Sequence, residues 1–244
     1  MIKVQNLTKR FGSIIAVNDV SFFITAGEVV GFLGPNGAGK STTMRLLTGF
    51  LDADSGSVEI CRNNIKTNRH AAQVCIGYLP EAAGGFPQLT VREFLIFCGQ
   101  SRGLDKRFLK EAIDKTCSLV NLDSALDKPL KSLSKGWRQR AWLAQAILHD
   151  PPILILDEPT DGLDPIQKEN IRDLIRTIAK DKAIILSTHI LEEAEEICNR
   201  AIIIAKGKIV ANDVQKKLVN DKGRIGETFS KLVKADQPID RNLE

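Results

Sequence analysis

Short apolar runs separated by polar turns dominate the two ends of the chain. Residues 2–7 and 14–24 alternate or cluster apolar and β-branched residues, and a polar turn at residues 25–28 precedes a fully apolar run at residues 29–33. Alternating runs are typical of half-buried strands, and short continuous runs are typical of buried parallel strands. We therefore predict two early strands, then a buried strand that ends in a glycine-rich segment before a helix over residues 41–51.

The pattern between residues 82 and 150 is helical. Thr90 and Glu93 have the spacing of a capping box ahead of an apolar stretch, and Asp105 can cap a second helix that runs through Leu122. A third, amphipathic helix is expected over residues 136–149, because two prolines follow it and cannot continue it. We predict that this stretch is a helical insertion.

An α/β pattern resumes after the prolines. Residues 153–156 and 183–187 predict strands on either side of a helix over residues 165–180, and a further strand is expected at residues 201–205. The chain is therefore predicted to be one domain whose α/β core is interrupted by the insertion. Its parts are a catalytic core at residues 1–81 and 151–220, a helical subdomain at residues 82–150, and a C-terminal helix and tail at residues 221–244.

Charge and cysteine content argue against several classes of protein. The 34 basic and 30 acidic residues are interspersed and give a net charge of +4, so we expect no nucleic-acid partner. The cysteines are widely spaced, odd in number and free of any Cys-x-x-Cys pair, which is typical of small buried side chains in a reducing compartment. They are Cys61, Cys75, Cys98, Cys117 and Cys198.

The apolar runs are far shorter than the roughly twenty residues that a membrane-spanning helix needs. The first residues also lack the apolar stretch of a secretory signal. We therefore expect a protein that stays inside the cell and has no membrane-spanning part of its own.

A glycine-rich motif follows the apolar run at residues 29–33. Its spacing, G-x-x-x-x-G-K-S, is that of a phosphate-binding loop, and it stands between a predicted strand and a predicted helix, as such loops do. Backbone N–H groups and the positive end of the helix would hold phosphate oxygens, Lys40 would neutralise the β- and γ-phosphates, and the Ser41 hydroxyl would ligate Mg²⁺. A tight turn without a ligand is the alternative, and the Lys-Ser pair argues against it. We define the phosphate loop as Gly34, Pro35, Asn36, Gly37, Ala38, Gly39, Lys40 and Ser41.

Two adjacent carboxylates, Asp157 and Glu158, follow the apolar run at residues 153–156. Open α/β sheets bind ligands at the carboxyl ends of their strands. Adjacent side chains on an extended chain point in different directions, so Asp157 can hold Mg²⁺ while Glu158 polarises the attacking water at the γ-phosphate. Alone, such a pair would be an ordinary solvated strand end, but beside a phosphate loop it predicts a catalytic pair.

Residues 133–140, Leu-Ser-Lys-Gly-Trp-Arg-Gln-Arg, complete a series of motifs that resembles the ATP-binding cassette (ABC) family of transporter ATPases. The resemblance covers nearly the whole chain, and we call residues 133–140 the signature segment. It implies an α/β fold with a P-loop nucleotide hydrolase core, in which helices flank a mainly parallel sheet. An N-terminal antiparallel β subdomain and an inserted α-helical subdomain are also implied, and so are ATP and Mg²⁺ as cofactors.

The resemblance also implies roles for single residues. Phe11 would stack on adenine, and His189 would contact the γ-phosphate and hold the attacking water with Glu158. Residues 161–164, Asp-Gly-Leu-Asp, would serve communication across the dimer. Phe11 could instead be a core aromatic, His189 an ordinary histidine, and residues 161–164 only a turn and helix cap. The implied catalytic set is Glu158, His189 and Lys40, the implied metal set is Ser41, Asp157 and Glu81, and the nucleotide contacts beyond the phosphate loop are Phe11, Thr42, Glu81, Ser134, Gly136 and Asp164.

Members of the family work as head-to-tail dimers, so a second copy or a homologous cassette is an implied partner. Ser134 stands at a predicted helix start, where its hydroxyl and the following N–H groups could bind the γ-phosphate held by the opposite subunit. Hydrolysis would remove this shared phosphate. The difference in affinity between the closed and the open dimer can then drive a membrane partner.

Two residues depart from the commonest pattern of the family. Glu81 stands where glutamine is usual, and its charged oxygen would favour Mg²⁺. Lys135 stands where glycine is usual, and it would either lie near the partner's γ-phosphate, offsetting Glu81, or point to solvent. Trp137 is expected at the subunit interface or against the signature helix. These departures resemble the branch that serves separate, export-type membrane subunits.

The expected function is therefore ATP hydrolysis that powers transport, with a lean to export, through separate transmembrane permease subunits. Residues 81–91 would join the core to the insertion and form the groove that accepts a permease helix. The expected location is the cytoplasmic face of the cell membrane. A cassette that regulates a membrane protein without moving solute, as in cell division, remains the alternative, whereas a cassette acting on DNA or ribosomes is disfavoured by the single phosphate loop.

Overall fold

The computed structural model describes residues 1–82, 84–220 and 223–235 of the 244-residue chain. The strands are β1 (Ile2–Phe11), β2 (Ile14–Ile24), β3 (Val29–Leu33), β4 (Ser55–Ile60), β5 (Asn63–Asn64), β6 (Ile76–Leu79), β7 (Ile153–Asp157), β8 (Ala183–Thr188), β9 (Arg200–Ala205) and β10 (Lys208–Val214). The α-helices are α1 (Lys40–Leu47), α2 (Arg69–Val74), α3 (Val91–Ser101), α4 (Lys106–Leu119), α5 (Lys135–Ile147), α6 (Pro165–Ile178), α7 (Leu191–Ile197), α8 (Gln215–Leu218) and α9 (Gly226–Ala235).

A mainly parallel sheet forms the core, in the order β10-β9-β3-β8-β7-β6, with β10 antiparallel at its edge. Strands β3, β7, β8 and β9 are buried throughout, which explains their continuous apolar sequences. In register, Leu33 pairs with Thr188, and Asp157 pairs with Ser187. The carboxyl ends of three neighbouring strands therefore meet at one edge of the sheet, and the polar residues that follow them are brought together there.

A second, antiparallel sheet of order β2-β1-β4-β5 confirms the antiparallel β subdomain, and its inner residues join the core on one face of the parallel sheet. Only β1 and β2 were expected from the sequence pattern. The described residues 55–79 contain four further short elements, β4, β5, α2 and β6, that the pattern did not predict.

The helical insertion is present as α3, α4 and α5, and their apolar faces pack together with α6 and α7 on the other face of the parallel sheet. Several predicted helix ends were too long. Helix α1 ends at Leu47 because Gly49 adopts a left-handed backbone conformation, and α4 ends at Leu119 because Asn121 does the same. The predicted capping box is confirmed: Thr90 Oγ1 accepts from Glu93 N at 3.2 Å, and Thr90 N donates to the Glu93 carboxylate at 2.8 Å.

Helix α7 packs on β3 and β8, and α8 and α9 then cover β9 and β10, with Phe229, Leu232 and Val233 packed against the core. The predicted C-terminal tail falls partly outside the described residues, at positions 221–222 and 236–244. Within the described ranges, none of the helices combines the length and the apolar character that a membrane crossing requires.

We predict that Thr90→Ala lowers the free energy of unfolding by about 1 kcal/mol, because it removes the hydroxyl that accepts from Glu93 N at 3.2 Å and donates to the Glu93 carboxylate at 2.9 Å. Urea denaturation followed by circular dichroism measures the change. Thr67→Ala, at an exposed threonine, should leave the midpoint urea concentration of unfolding at the wild-type value. Equal midpoints for all three proteins would contradict a stabilising role for the cap.

Candidate functional site

The phosphate loop connects β3 to α1 and wraps closely against neighbouring backbone. Gly39 has φ 107°, and a Cβ at this position would overlap the carbonyl oxygen of Ala16 on β2. Only glycine satisfies both constraints. The loop thereby presents the amino end of α1, whose first turn carries no acidic side chain, toward a cavity of about 250 Å³. The cavity is lined by Ala16, Asn36, Gly37, Gly39, Lys40, Ser41, Thr42, Glu81 and Glu158.

Lys40 places a nearly buried ammonium group in this cavity. Its Nζ donates to the carbonyl oxygens of Gly34 at 2.9 Å and Pro35 at 3.3 Å, and it lies 3.6 Å from Glu158 Oε1. The exposed fractions of the Lys40 and Glu158 side chains are 6% and 8%. A buried cation needs such oxygen partners. An anion entering the cavity could replace them and would meet the helix dipole at the same point.

Three oxygen-bearing side chains, Ser41, Asp157 and Glu81, converge beside Lys40. The Ser41 hydroxyl lies 3.2 Å from Asp157 Oδ1 and 3.3 Å from Glu81 Oε2. Burial raises the pKa of the Asp157 carboxyl above its usual value, and the charges of Glu81 and Glu158 raise it further. Hydroxyl and carboxylate oxygens are the donors that Mg²⁺ prefers, so this cluster fits a divalent cation.

Glu158 and His189 form the third part of the site. His189 Nδ1 lies 3.0 Å from Glu158 Oε2, which joins the residue after β7 to the residue after β8. Glu158 has φ 50°, an uncommon backbone conformation for a residue other than glycine. Its amide donates to Ser187 Oγ at 3.0 Å, which helps to hold that conformation.

Two functional side chains, Ser187 and Glu193, were not identified from the sequence. The Ser187 hydroxyl contacts both the Asp157 carboxylate and the Glu158 amide, so it orders both acidic residues. Its place directly opposite Asp157 in the β7–β8 pair could have revealed it if the strand order had been known.

Glu193 is a buried carboxylate, with a relative exposure of 1%. The hydroxyl of Thr160 donates to Oε1, the hydroxyl of Thr188 donates to Oε2 at 2.8 Å, and Lys168 Nζ lies 3.5 Å from Oε1. Thr160 is two residues after Glu158, and Thr188 directly precedes His189. Glu193 therefore ties together the two chain segments that carry the Glu158–His189 pair.

Phe11 ends β1 at the hairpin that also carries Ala16, and its ring is about half exposed, at 46%. It is therefore not the buried core aromatic of the alternative interpretation. Lys9 Nζ lies 5.6 Å from the ring centroid. The exposed ring leaves a face on which a planar group could stack.

Ser134, Gly136 and Asp164 lie outside the lining of this cavity. Ser134 is exposed and caps α5, accepting from Trp137 N at 3.4 Å. Gly136 lies under the side chain of Gln167, and Asp164 Oδ1 caps α6 by accepting from Gln167 N at 2.8 Å. The structure thus assembles the phosphate loop, Glu81, Asp157, Glu158 and His189 in one place, and it keeps the start of the signature helix apart from them.

Lys135 Nζ pairs with Asp161 Oδ2 of the same chain at 2.9 Å, and its side chain is about half exposed, as the solvent alternative expects. Its position relative to the partner's γ-phosphate stays a prediction. Trp137 is half-buried against the helical core, and the Arg140 guanidinium lies 5.3 Å from its ring centroid. This position agrees with a supporting role for Trp137 at the signature helix.

Comparison with known proteins identifies the family of this site. A family model described as ABC transporter matches residues 17–161. An uncharacterized ABC transporter ATP-binding protein of Bacillus subtilis is 39% identical over 209 residues, which cover 86% of this chain and 69% of the relative. A Nod factor export ATP-binding protein of Bradyrhizobium diazoefficiens is 36% identical over 221 residues, which cover 90% of this chain and 72% of the relative.

Solved structures agree with this family. The ATP-binding subunit of an ABC transporter superposes with a TM-score of 0.86 at 27% identity, covering 95% of this chain and 99% of that chain. A bacterial ABC transporter cassette solved as a dimer superposes with a TM-score of 0.81 at 24% identity, covering 88% of this chain and 98% of that chain. This second likeness shows the fold.

We predict that Glu193→Ala destabilises the protein by about 3–5 kcal/mol and lowers turnover, because it leaves Thr160, Thr188 and Lys168 without their buried acceptor. Urea denaturation and an ATP hydrolysis assay measure the two effects. Glu192→Ala is the matched control, since Glu192 is the exposed neighbour in the same helical turn. Equal stability of the two variants would contradict the network.

Proposed function

Because the chain belongs to the ABC transporter family, we propose that it binds and hydrolyses ATP to power export through separate transmembrane permease subunits. One observation carries the proposal: Lys40, Ser41, Glu81 and Glu158 line one cavity at the carboxyl edge of the parallel sheet. Asp157 contacts Ser41, and His189 contacts Glu158, so a buried ammonium, a cluster of hard oxygen donors and a carboxylate–imidazole pair meet there. Phosphoryl transfer needs these three elements for charge neutralisation, metal binding and water activation.

The phosphate loop would hold the ATP phosphates through its backbone N–H groups and the amino end of α1. Lys40 would leave its contacts with Gly34, Pro35 and Glu158 and bind the β- and γ-phosphates. Thr42 follows on the same helix turn and lines the same cavity, so we assign it to the phosphates as well. The exposed ring of Phe11 would stack on adenine.

Mg²⁺, held by Ser41, Asp157 and Glu81, would neutralise charge on the phosphates. Glu158 and His189 would then act on the attacking water and the γ-phosphate. Glu158, freed from Lys40, would orient the attacking water and accept its proton. His189 lies within hydrogen-bonding distance of Glu158 and would hold it and the γ-phosphate in place.

A second copy is needed to complete this site. Ser134 and Gly136 stand at the start of the signature helix, outside the cavity of their own chain, and Ser134 is exposed while Gly136 is buried under Gln167. We propose that two copies pair head to tail, so that Ser134 of one copy binds the γ-phosphate held by the other. Asp164, exposed at the start of α6, would lie at the same interface.

The permease would dock between the core and the helical insertion. A groove of about 280 Å³ is lined there by Phe50, Val74, Tyr78 and Arg102, among others. The described residues of the 81–91 segment, which was expected to form the docking groove, do not line this one. The segment contacts the neighbouring helix instead: Phe86 stacks on Phe94 and Phe97 of α3, at 5.9 and 5.0 Å between ring centroids. Phe97 and Ser101 are one helical turn apart, so the aromatic cluster and the groove share one face of α3.

This docking would hold the protein at the cytoplasmic face of the membrane. Two features support export as the direction of transport. The relatives from several bacteria carry the description Nod factor export ATP-binding protein, and the sequence shares the departures at Glu81 and Lys135 with the export-type branch. The transported solute would contact the permease, so this chain does not specify it.

We predict that Glu158→Gln retains ATP binding, lowers turnover by about 10²- to 10⁴-fold and accumulates a dimer with ATP, because the amide cannot take the proton of the water. Hydrolysis assays and size-exclusion chromatography measure both effects. Glu169→Gln, on the exposed face of α6, should behave as wild type. Near-normal turnover of Glu158→Gln would reject Glu158 as the catalytic carboxylate.

Lys40→Ala should act differently, since it removes the cation that meets the phosphates. ATP affinity is expected to fall by roughly 10- to 100-fold, as for the loss of a charged hydrogen bond. Isothermal titration with ATP and Mg²⁺ measures this affinity. Unchanged affinity would show that the Lys40 ammonium does not bind the phosphates.

We predict that Phe50→Asp abolishes association with the permease and leaves basal ATP hydrolysis intact, because it puts a charge into the docking groove. Co-purification from membranes measures the association. Phe108→Asp is the control, since Phe108 is similarly exposed, at 62% against 70%, but lies on α4 outside the groove. Retention of the permease by both variants would place its docking site elsewhere.

A further inference from the structure

Two cysteines that are well separated in the sequence meet in the structure. Cys61 directly follows β4, Cys75 directly follows α2, and their thiols are hydrogen-bonded to each other. Both side chains are partly buried and pack against the same apolar cluster beside the antiparallel sheet. The spacing hides this contact, because the pair matches none of the short cysteine motifs that predict a redox or metal site.

Cys61 occupies a backbone position that is unfavourable for most side chains. It stands with Arg62 in the two-residue turn between β4 and β5, and both residues have positive φ, at 48° and 67°. Glycine and asparagine are preferred in such a turn, so another residue there is held by its surroundings. Asn63 Nδ2 donates to the carbonyl oxygen of Cys61 at 3.1 Å, and Cys61 N donates to that of Met1 at 3.0 Å. These contacts hold the Cys61 thiol beside Cys75.

Helix α2 brings Cys75 back to this turn. Before the helix begins, Asn68 N donates to the carbonyl oxygen of Asn64 at 2.8 Å, and Asn68 Nδ2 donates to Asn63 Oδ1 at 2.9 Å. The helix then packs on β4 and β5. At its end, Ile153 N donates to the carbonyl oxygen of Cys75 at 3.2 Å. The backbone is therefore fixed by hydrogen bonds on both sides of the pair.

The two thiols have different environments. Burial, and then the hydrogen bond with Cys61, raise the pKa of the Cys75 thiol to about 11. Cys75 Sγ also donates to the carbonyl oxygen of Ala71 at 3.5 Å. Cys75 therefore keeps its proton at neutral pH. Because thiol–disulfide exchange begins with a thiolate, Cys61, which stands beside the exposed Arg62 in the turn, is the thiol that attacks first.

We propose that Cys61 and Cys75 are a reversible thiol–disulfide site that reacts with small disulfides such as oxidised glutathione. The Cys61 thiolate would attack one sulfur of the reagent, which breaks the reagent's S–S bond, releases one thiol and leaves a mixed disulfide on Cys61. Cys75 would then lose its proton and attack the Cys61 sulfur, so that the Cys61–Cys75 bond forms and the second thiol leaves. Two electrons pass from the protein to the reagent, and its two sulfur atoms take up the two protons.

The disulfide would fix the end of α2 to the β4–β5 turn. Val74 and Ile76, on either side of Cys75, both line the groove of about 280 Å³ between the core and the helical insertion. Oxidation would therefore join this wall of the groove to the turn. A cross-link also lowers the entropy of the unfolded chain, so the oxidised protein should unfold at a higher urea concentration than the reduced protein.

The test treats the purified, folded full chain with oxidised glutathione, counts thiols after denaturation and maps linked peptides by mass spectrometry. The wild type should lose two of its five thiols, retain no glutathione and yield a peptide in which Cys61 is linked to Cys75. The midpoint urea concentration of unfolding should rise on oxidation, and dithiothreitol should restore both the thiols and the midpoint. The mapping of the wild type needs no substitution.

Single variants separate the two roles. Cys75→Ser should retain one glutathione on Cys61, since no second thiol is present to displace it. Cys61→Ser should react little, since Cys75 keeps its proton. Cys98→Ser is the matched control and should form the same disulfide as the wild type. Burial raises the pKa of the Cys98 thiol to about 11 as well, but its second cause is Arg102 and not another thiol.

Three outcomes would overturn the inference. In the first, the wild type retains glutathione on Cys61 and forms no bond to Cys75. In the second, Cys61 and Cys75 both stay reduced under conditions that modify Cys98. In the third, the linked protein unfolds at a lower urea concentration than the reduced protein, which would show that the folded chain does not hold the two thiols together. None of these measurements involves ATP, so they are independent of the proposed function.

Discussion

The buried ammonium group of Lys40 is the charge on which the arrangement of the site depends. A cation with so little solvent must be surrounded by oxygen atoms, and the chain supplies them from two loop carbonyls and from Glu158. The phosphate loop after β3 is wrapped tightly enough for the carbonyl oxygens of Gly34 and Pro35 to reach the Lys40 ammonium. A phosphate group satisfies the ammonium as well as these oxygens do, so the site without a ligand is held in a form that an anion can enter.

The register of the parallel sheet places the remaining groups around this charge. Since Asp157 lies opposite Ser187 and Leu33 opposite Thr188, the loops after β3, β7 and β8 begin at the same edge of the sheet. The buried Glu193 carboxylate then holds the loops after β7 and β8 together, because it accepts hydrogen bonds from Thr160 and Thr188. The geometry of the candidate site is thus a consequence of strand pairing and of one buried carboxylate behind it.

Local patterns in the sequence were sufficient for the features that depend on neighbouring residues. The order of strand, phosphate loop and helix follows from a fixed spacing, and the Thr90 capping box involves only four consecutive residues.

Elements that depend on distant partners were missed. Strand β6 is four residues long and is stabilised by pairing with β7, which is more than seventy residues away. Glu193 stands in an acidic run that is typical of an exposed helix, and its burial depends on threonines from two other segments. The ion pair of Lys135 with Asp161 was also missed. Asp161 lies in a loop whose approach to the signature helix depends on the contact of Gly136 on α5 with Gln167 on α6.

The proposed function depends on two copies that enclose ATP between the phosphate loop of one and the Ser134 helix start of the other. Site-directed cross-linking tests it most directly. Cysteines would be introduced at Asn36 and at Lys135, the exposed neighbour of Ser134, in separate batches of a Glu158→Gln chain without its five native cysteines. The two batches would be mixed and treated with a short bifunctional maleimide. The account predicts a cross-linked dimer that forms with ATP and not with ADP. A cross-link that is absent with ATP, or that forms equally without nucleotide, would contradict it.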